Sequence, residues 1–314
     1  MLKHHAALLL VTTIVISACG GGDDDGGPGA GPDAAAEASW QAIIAGEWSL
    51  EPGQEDWYCA SRTLDEDLYV GAFRPIDPIG THHTVMTFGQ PSGPDQQAAP
   101  CDPDSMQPNA IYASGVNTNE MELPSGVGFK IAAGEQVHLN LHVFNTTDEV
   151  LSGASGVEIR PLPAEELEHE AELFLPGPLG FEIPRDQEYS YSSECEILED
   201  QHIFALFPHM HQLGRRFKTE ITVGGETTAL WDEDYRFEEQ VFTVFEPIAL
   251  APGDRITTTC TWSRTAEDDL PDVVRLGDSS KEEMCFSIMM RYPRLHSPED
   301  EFCTDEKLED PDGD

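Results

Sequence analysis

Short apolar segments separated by Gly, Pro and Asp recur along most of this chain, and they restrict its fold more than any other feature. The segments alternate apolar with polar residues or are rich in β-branched and aromatic residues: Leu68 to Phe73, Val137 to Phe144, Phe217 to Val223 and Arg255 to Trp262. A period of two is that of a β-strand with one buried face. The segment Val223-Gly224-Gly225-Glu226 is typical of a tight turn between two strands. The pattern predicts an all-β fold.

Helical periodicity is scarce. Ala164 to Leu173 could form a turn or two of helix, but its Glu-rich composition and flanking prolines fit a connection better. A chain of 314 residues favours two domains over one. We therefore place a boundary near residue 170 and predict two antiparallel β-sandwiches of jelly-roll type, 41–170 and 171–303. Residues 304–314 are predicted to form an acidic tail.

The beginning of the chain indicates export. Met1 to His5 carries positive charge, Ala6 to Ala18 is apolar, and Ile16-Ser17-Ala18-Cys19 is typical of a lipoprotein cleavage site. We predict a signal peptide over 1–18 and lipidation of Cys19. An ordinary secretory signal and an N-terminal anchor helix are the alternatives, although the apolar run is short for a bilayer span.

The next segment, 19–40, is composed largely of Gly, Asp, Pro and Ala, with almost nothing to bury. This composition predicts a flexible tether. Gly20 stands where an Asp often retains lipoproteins at an inner membrane. We therefore expect a lipid-anchored protein of the cell envelope, outside the cytoplasm, with the outer membrane preferred.

The charge balance restricts the partners. The chain has 17 Lys and Arg against 59 Asp and Glu, a formal net charge of −42. Binding to nucleic acid needs basic side chains that displace counterions from phosphates, so nucleic acid is excluded as a partner. The same acidity disfavours anionic surfaces, and we expect membrane contact only through the lipid anchor.

Six cysteines remain when Cys19 is set aside, and an even number in an exported chain indicates up to three disulfides. The sequence alone leaves their pairing open. The absence of a Cys-x-x-Cys pair disfavours a zinc ribbon.

Two histidine pairs are candidate metal ligands. His209 and His211 are two residues apart, so on a strand both side chains point to one face and can hold one metal. A solvated or stacking pair is the alternative. His82 and His83 are adjacent and would point to opposite faces of a regular strand. Joint ligation by these two requires a strand end or a bulge.

Further candidates have rivals. His142 lies in a strand-like segment, and His138 would lie on the same face. Met284 competes with Met289 and Met290, and a methionine in a β-rich protein is more often part of the core. Imidazoles together with one thioether suit copper in both oxidation states, because the soft sulfur favours Cu(I).

Several segments, in this order, resemble the landmarks of the copper type II, ascorbate-dependent monooxygenases. The similarity covers roughly residues 47 to 303 and rests on Cys59, Thr81-His82-His83-Thr84 with the strand to Gly89, Leu123 to Phe129, Leu139 to His142, Phe204 to Gly214 with His209-Met210-His211, and Ser279 to Cys285.

The resemblance implies an oxidoreductase with two copper ions per chain, one in each domain, across an open gap. In the family the first copper passes electrons. The second binds O2, and a C–H bond of a small organic substrate is hydroxylated. Ascorbate or another one-electron donor reduces both metals. The implied ligands are His82, His83 and His142 for the first copper, and His209, His211 and Met284 for the second.

The resemblance also implies three disulfides. The pairs would be Cys59 with Cys101, Cys260 with Cys285, and Cys195 with Cys303. The bridge at Cys285 would fix the backbone beside Met284.

Three positions depart from the peptide-amidating members of the family. Those members hold the substrate carboxylate with an Arg before the His-x-His and with polar residues after the Met-Cys pair. This chain has Phe207, Phe286 and Ile288 there. An unpaired carboxylate in such a cleft would be costly, so we expect a less polar substrate. The alternative is a copper-binding or electron-carrying lipoprotein without substrate turnover.

Overall fold

The computed structural model describes residues 39–304, apart from 103–104, 106–108, 116–117, 238–239, 266–269, 278–280 and 296–301. The predicted signal peptide, Cys19, almost the whole tether and most of the predicted acidic tail lie outside these residues. Within the described part of the chain, the regular structure is strand, with a single 3-10 turn at Ala164–Glu166 and no α-helix. The predicted all-β fold is confirmed. The described residues contain no helix long and apolar enough to cross a membrane.

Two sheets are built from strands that precede residue 171. One has the order β1-β10-β3-β8-β11, with β7 also paired to β3, and the other has the order β5-β2-β9-β4-β6. The strands are β1 (Gln41–Leu50), β2 (Glu55–Thr63), β3 (Leu68–Ile76), β4 (Thr81–Gly89), β5 (Gln96–Pro100), β6 (Asn109–Gly115), β7 (Met121–Glu122), β8 (Val127–Ile131), β9 (Gln136–Phe144), β10 (Leu151–Pro161) and β11 (His169–Glu170).

Three further sheets follow. Their orders are β18-β15-β21-β12-β22, β14-β19-β16-β17 and the short pair β13-β20. The strands are β12 (Glu172–Pro176), β13 (Ile183–Pro184), β14 (Glu188–Glu196), β15 (Gln201–Met210), β16 (Gly214–Val223), β17 (Glu226–Asp234), β18 (Thr243–Leu250), β19 (Arg255–Ser263), β20 (Val273–Val274), β21 (Cys285–Tyr292) and β22 (Phe302–Cys303).

Alternating burial explains why these segments are strands. Along β19 every second side chain from Ile256 to Trp262 is buried, because one face packs on the core and the other faces outwards. The β16–β17 hairpin closes at the predicted turn, where Val223 pairs with Glu226. Gly224 and Gly225 have φ of 57° and 89°, the left-handed region that such a turn requires.

The core continues across the predicted boundary near residue 170. Buried side chains between the first two sheets, such as Phe73 and Leu139, belong to one cluster with Leu173, Phe204 and Met290 from later strands. Strand pairing nevertheless separates the two parts, because strands that precede residue 171 pair with one another, as do those that follow. We call these parts the first half and the second half. Their independence as domains stays a prediction.

Three disulfides join the predicted pairs, Cys59–Cys101, Cys195–Cys303 and Cys260–Cys285. Cys285 is the first residue of β21 and lies next to β15, which carries His209 near its end. In the first half, β4 and β9 are neighbours, and they carry His83 and His142 opposite each other. Adjacent strands therefore bring the candidate ligands together in each half.

Candidate metal centres

The first cluster consists of His82, His83 and His142. One ring nitrogen of each lies within 4.8 Å of those of the other two. Nδ1 of His83 is 3.3 Å from Nδ1 of His82 and 3.2 Å from Nδ1 of His142. The β4–β9 register shifts between Thr81 and His83. An irregularity of this kind lets two adjacent side chains approach the same side of a sheet, as joint ligation requires.

Two neighbours fix the ring of His142. Oε1 of Glu55 lies 2.6 Å from Nε2, and Trp57 stacks on the imidazole with ring centroids 4.3 Å apart. Because a carboxylate accepts, Nε2 carries the proton and Nδ1 is left with its lone pair towards the cluster. A metal-binding histidine is commonly oriented by a carboxylate in this way.

Burial favours the neutral form of His83 and His142 in this cluster. Burial is the main cause that lowers the pKa of His83 well below its usual range, and the charges of His142 and His82 lower it further. The pKa of His142 is lowered by burial, which Glu55 partly opposes. Neutral imidazoles are the form that binds a metal ion.

The rival His138 lies apart from this cluster. Its Nε2 is 2.7 Å from the carbonyl oxygen of Ser105. On β9 its partner across β2 is Ser61, whereas His142 pairs with Trp57. Of the two histidines, the structure brings only His142 to His82 and His83.

The second histidine pair lies near the end of β15. The rings of His209 and His211 are 5.3 Å apart and nearly perpendicular. Nδ1 of His211 lies 3.0 Å from the carbonyl oxygen of Glu282, and Nδ1 of His209 lies 2.8 Å from Oε1 of Gln240. Both Nδ1 atoms therefore donate, and in each neutral ring Nε2 is the nitrogen that carries the lone pair. Burial lowers the pKa of His209 to about 3.

Met284 comes from the neighbouring segment. The β15–β21 register ends at the pair Met210 and Cys285, and His211 and Met284 are the next residues after this pair on the two segments. Its rivals Met289 and Met290 are fully buried in hydrophobic clusters. Met284 is partly exposed and is not a member of these clusters.

Glu283 ties the ligand segments of the second half together. Its carboxylate accepts hydrogen bonds from the backbone N–H of His211 (2.9 Å) and of Leu213 (2.6 Å), and from Nε1 of Trp262 (3.0 Å). Burial raises the pKa of Glu283 to about 7, against these hydrogen bonds. The orienting roles of Glu55, Glu283 and Gln240 were not predicted from the sequence.

The two sites are close to each other, and the expected open gap between them is wrong for this structure. The ring of Phe237, from the second half, lies 5.2 Å from that of His82. Oγ1 of Thr118 in the first half donates to the carbonyl oxygen of Gln240 at 3.0 Å. The charges of His209 and His211 also contribute to the lowered pKa of His83. The halves are in direct contact beside both clusters.

Apolar side chains lie on the β15 and β21 side of His209. The ring of Phe207 lies 6.1 Å from His209 and 4.8 Å from Phe242. Ile288 is opposite Phe207 in the strand register, and Phe286 is opposite His209. No basic side chain is among these neighbours of His209 in the described strands β15 and β21.

Comparison with known proteins agrees with this geometry. Residues 177–310 match the model of the copper type II ascorbate-dependent monooxygenase, C-terminal domain. A peptidyl-glycine alpha-amidating monooxygenase A of Xenopus laevis is 28% identical over 77% of the chain, and the rat peptidylglycine alpha-amidating monooxygenase is 25% identical over 83%. These matches support the copper type II ascorbate-dependent monooxygenase family for this chain.

Other members are related over shorter stretches. The human DBH-like monooxygenase protein 1 is 28% identical over 59% of the chain and is covered over 33% of its own length. The chain spans about a quarter of the length of the amidating monooxygenases, 27% of the Xenopus protein and 28% of the rat protein.

The side chains fit the metal of the family. Three imidazoles in one cluster, and two more beside a segment with a thioether, are donors that copper accepts in both oxidation states. Acidic side chains are not part of the first cluster, which disfavours a site for a hard cation such as Ca²⁺.

Proposed function

We propose that this protein is a copper-dependent monooxygenase that hydroxylates a C–H bond of a small organic substrate, with O2 and ascorbate or a similar one-electron donor. The observation that carries the proposal is the convergence of the His82, His83 and His142 ring nitrogens within 4.8 Å. The match of residues 177–310 to the copper monooxygenase family and the second His pair in the other half support it.

The two halves are proposed to have different functions. Bound copper supplies one-electron chemistry, with electron transfer at the first site and O2 chemistry at the second. Burial favours the neutral form of His83, His142 and His209, and Glu55 and Gln240 fix which ring nitrogens of His142 and His209 are available to a metal. A partly exposed Met284 beside His211 suits a site that keeps one position open.

The substrate is proposed to be weakly polar, aromatic or aliphatic. The relatives are named for action on peptidyl-glycine. In this chain Phe207 lies beside His209, Phe242 and Ile288 lie beside Phe207, and these side chains offer no partner to a carboxylate. Burying an unpaired carboxylate among apolar side chains costs several kcal/mol, about 2 to 7 for a polar group in general.

The second candidate is a copper-holding or electron-carrying protein without substrate turnover. The same apolar side chains favour it, because Phe207, Phe286 and Ile288 cannot pair with a substrate carboxylate. Under this alternative both sites bind copper and are reduced by ascorbate, but no organic product forms.

One experiment separates these candidates. The copper-loaded protein is incubated with ascorbate, O2 and one of three substrates. Ethylbenzene and phenylpropanoate are a pair that differs in the carboxylate, and an N-acylglycine is the third substrate. The proposal expects hydroxylated ethylbenzene, and product from the two carboxylates lower by about tenfold or more. Consumption of O2 that yields peroxide at the same rate with and without substrate would support the electron-carrying alternative and contradict the enzyme.

The location is proposed from the sequence. A lipidated Cys19 and a tether would place the folded part at the cell envelope, outside the cytoplasm, with the outer membrane preferred. The three disulfides of the structure support an oxidising compartment. Radiolabelled palmitate in the wild-type protein and none in Cys19→Ser would test it; equal label in both would contradict it.

A further inference from the structure

Gln240 is a buried polar side chain that lies between the two histidine clusters. It is 8% exposed. Its side-chain Nε2 donates to the carbonyl oxygen of Phe237 at 2.9 Å, which orients the amide and turns Oε1 towards Nδ1 of His209 at 2.8 Å. The tautomer of His209 is therefore set by the orientation of one amide group.

The backbone of Gln240 is held from the other half. Its carbonyl oxygen accepts a hydrogen bond from Oγ1 of Thr118 at 3.0 Å, and the same Oγ1 accepts from the backbone N–H of Gly115 at 2.9 Å. Gly115 is the strand partner of His83. A short series of contacts thus runs from the first cluster, through Thr118 and Gln240, to His209.

A second contact joins the same parts. Phe237, whose carbonyl oxygen accepts from Gln240, packs its ring on that of His82 with centroids 5.2 Å apart. Phe237 thus contacts the first cluster and Gln240 the second, and no other described residue bonds to both Thr118 and His209 in this way.

We propose that Gln240 is a positioning residue that makes the orientation of His209 depend on contact between the two halves. When Thr118 holds the backbone of Gln240, the amide presents its oxygen to His209, the ring is fixed as the Nδ1–H tautomer, and Nε2 is available to copper. When the halves separate, Gln240 loses this support and His209 samples both tautomers. The inference rests on the proposed copper sites.

A purely structural role for Gln240 predicts something different. Its loss would then lower stability and affect both sites alike, and Thr118 would have no effect on His209. Residues that orient a metal-binding histidine typically change metal affinity by about 10 to 100-fold. We therefore expect a change in copper affinity at the second site alone. A substitution of Thr118, in the first half, should also cause this change.

The experiment uses the full chain with ¹⁵N-labelled histidine. The tautomer of His209 is measured by NMR in the metal-free protein, and the copper affinity of each site is measured by competition with a Cu(I) chelator. The variants are Gln240→Leu, which removes the acceptor, and Thr118→Val, which removes the hydrogen bond between the halves. Thr118→Ser keeps the hydroxyl, and Thr227→Val changes an exposed threonine of β17 as the control.

Gln240→Leu and Thr118→Val are both expected to give a mixed His209 tautomer and to weaken the second site by about tenfold or more. Thr118→Ser and Thr227→Val are expected to match the wild type. If Thr118→Val keeps the wild-type tautomer and copper affinity, the orientation of His209 does not depend on contact between the halves. If Gln240→Leu keeps them, Gln240 is not a positioning residue. Fewer than two coppers in the wild type would instead contradict the proposed function, and the metal-free tautomer measurement would still decide the inference.

Discussion

Oε1 of Glu55 lies 2.6 Å from Nε2 of His142, while Nδ1 of the same ring lies 3.2 Å from Nδ1 of His83. The two nitrogens of His142 thus have separate tasks. One is fixed by a carboxylate at the edge of the first half, and the other is directed into the cluster.

Glu55→Ala should weaken copper binding at the first site by about 10 to 100-fold, because His142 loses the partner that fixes its tautomer. Glu55→Gln should have a smaller effect, since the amide oxygen still accepts a hydrogen bond. Competition with a Cu(I) chelator measures both. Glu47→Gln, an exposed position on β1, is the matched control. An unchanged affinity in Glu55→Ala would contradict the orienting role.

His142→Ala should lower the copper content by one ion per chain and impair electron supply. His138→Ala should leave the copper content unchanged, because His138 contacts the Ser105 carbonyl oxygen and lies apart from the cluster. Copper counting by mass spectrometry on the purified variants tests this pair. Loss of copper in His138→Ala with retention in His142→Ala would reverse the ligand choice.

Removal of the Cys260–Cys285 bridge by a double Ala substitution should weaken the second copper site, because Cys285 is next to Met284. The Cys195–Cys303 bridge is the control: its removal should cost about 2 to 4 kcal/mol of unfolding free energy but leave the affinity for copper unchanged. Chemical unfolding and chelator competition on both variants separate these effects. Equal losses of affinity would show that Cys285 has no local role.

The carboxylate of Asp254 accepts hydrogen bonds from the backbone N–H groups of Ala251 and Gly224, which hold its pKa below the usual value. A folded-state pKa below the unfolded one stabilises the fold above the ordinary pKa, and this contribution disappears as the pH falls through the folded value. Asp254→Asn should therefore lose stability near neutral pH and differ less from the wild type in acid.

Urea unfolding at about pH 7 and about pH 3 measures that difference. Asp272→Asn is the control, since this carboxylate is almost fully exposed. A stability difference that stays constant between the two pH values would show that the hydrogen bonds do not favour the ionised form.

Local patterns were enough to predict the strands. The alternation from Arg255 to Trp262 and the Gly224-Gly225 turn depend on neighbours in sequence, and the structure has β19 and the β16–β17 hairpin there. The pairing of the six cysteines could not be predicted from local patterns, because composition leaves it open. The resemblance to the copper monooxygenases gave the pairs that the structure contains.

Side chains that orient the ligands could not be predicted. Glu55 and His142 are 87 residues apart, and Glu283 and His211 are 72 residues apart, so their contacts arise only when distant strands pair. One carboxylate also carries no signal among 59 acidic residues. The contact between the halves at Thr118 and Gln240 was missed for the same reason, because 122 positions separate the two residues.

Met284→Ile tests the central claim most directly, because isoleucine keeps the bulk of the side chain and removes the sulfur. The measurement is hydroxylated product per chain, formed with ascorbate and O2 by protein in which copper has been counted. The variant is expected to keep the first-site copper and to form at least about a hundredfold less product than the wild type. Wild-type product formation by Met284→Ile would contradict the assignment of Met284 and of the second site.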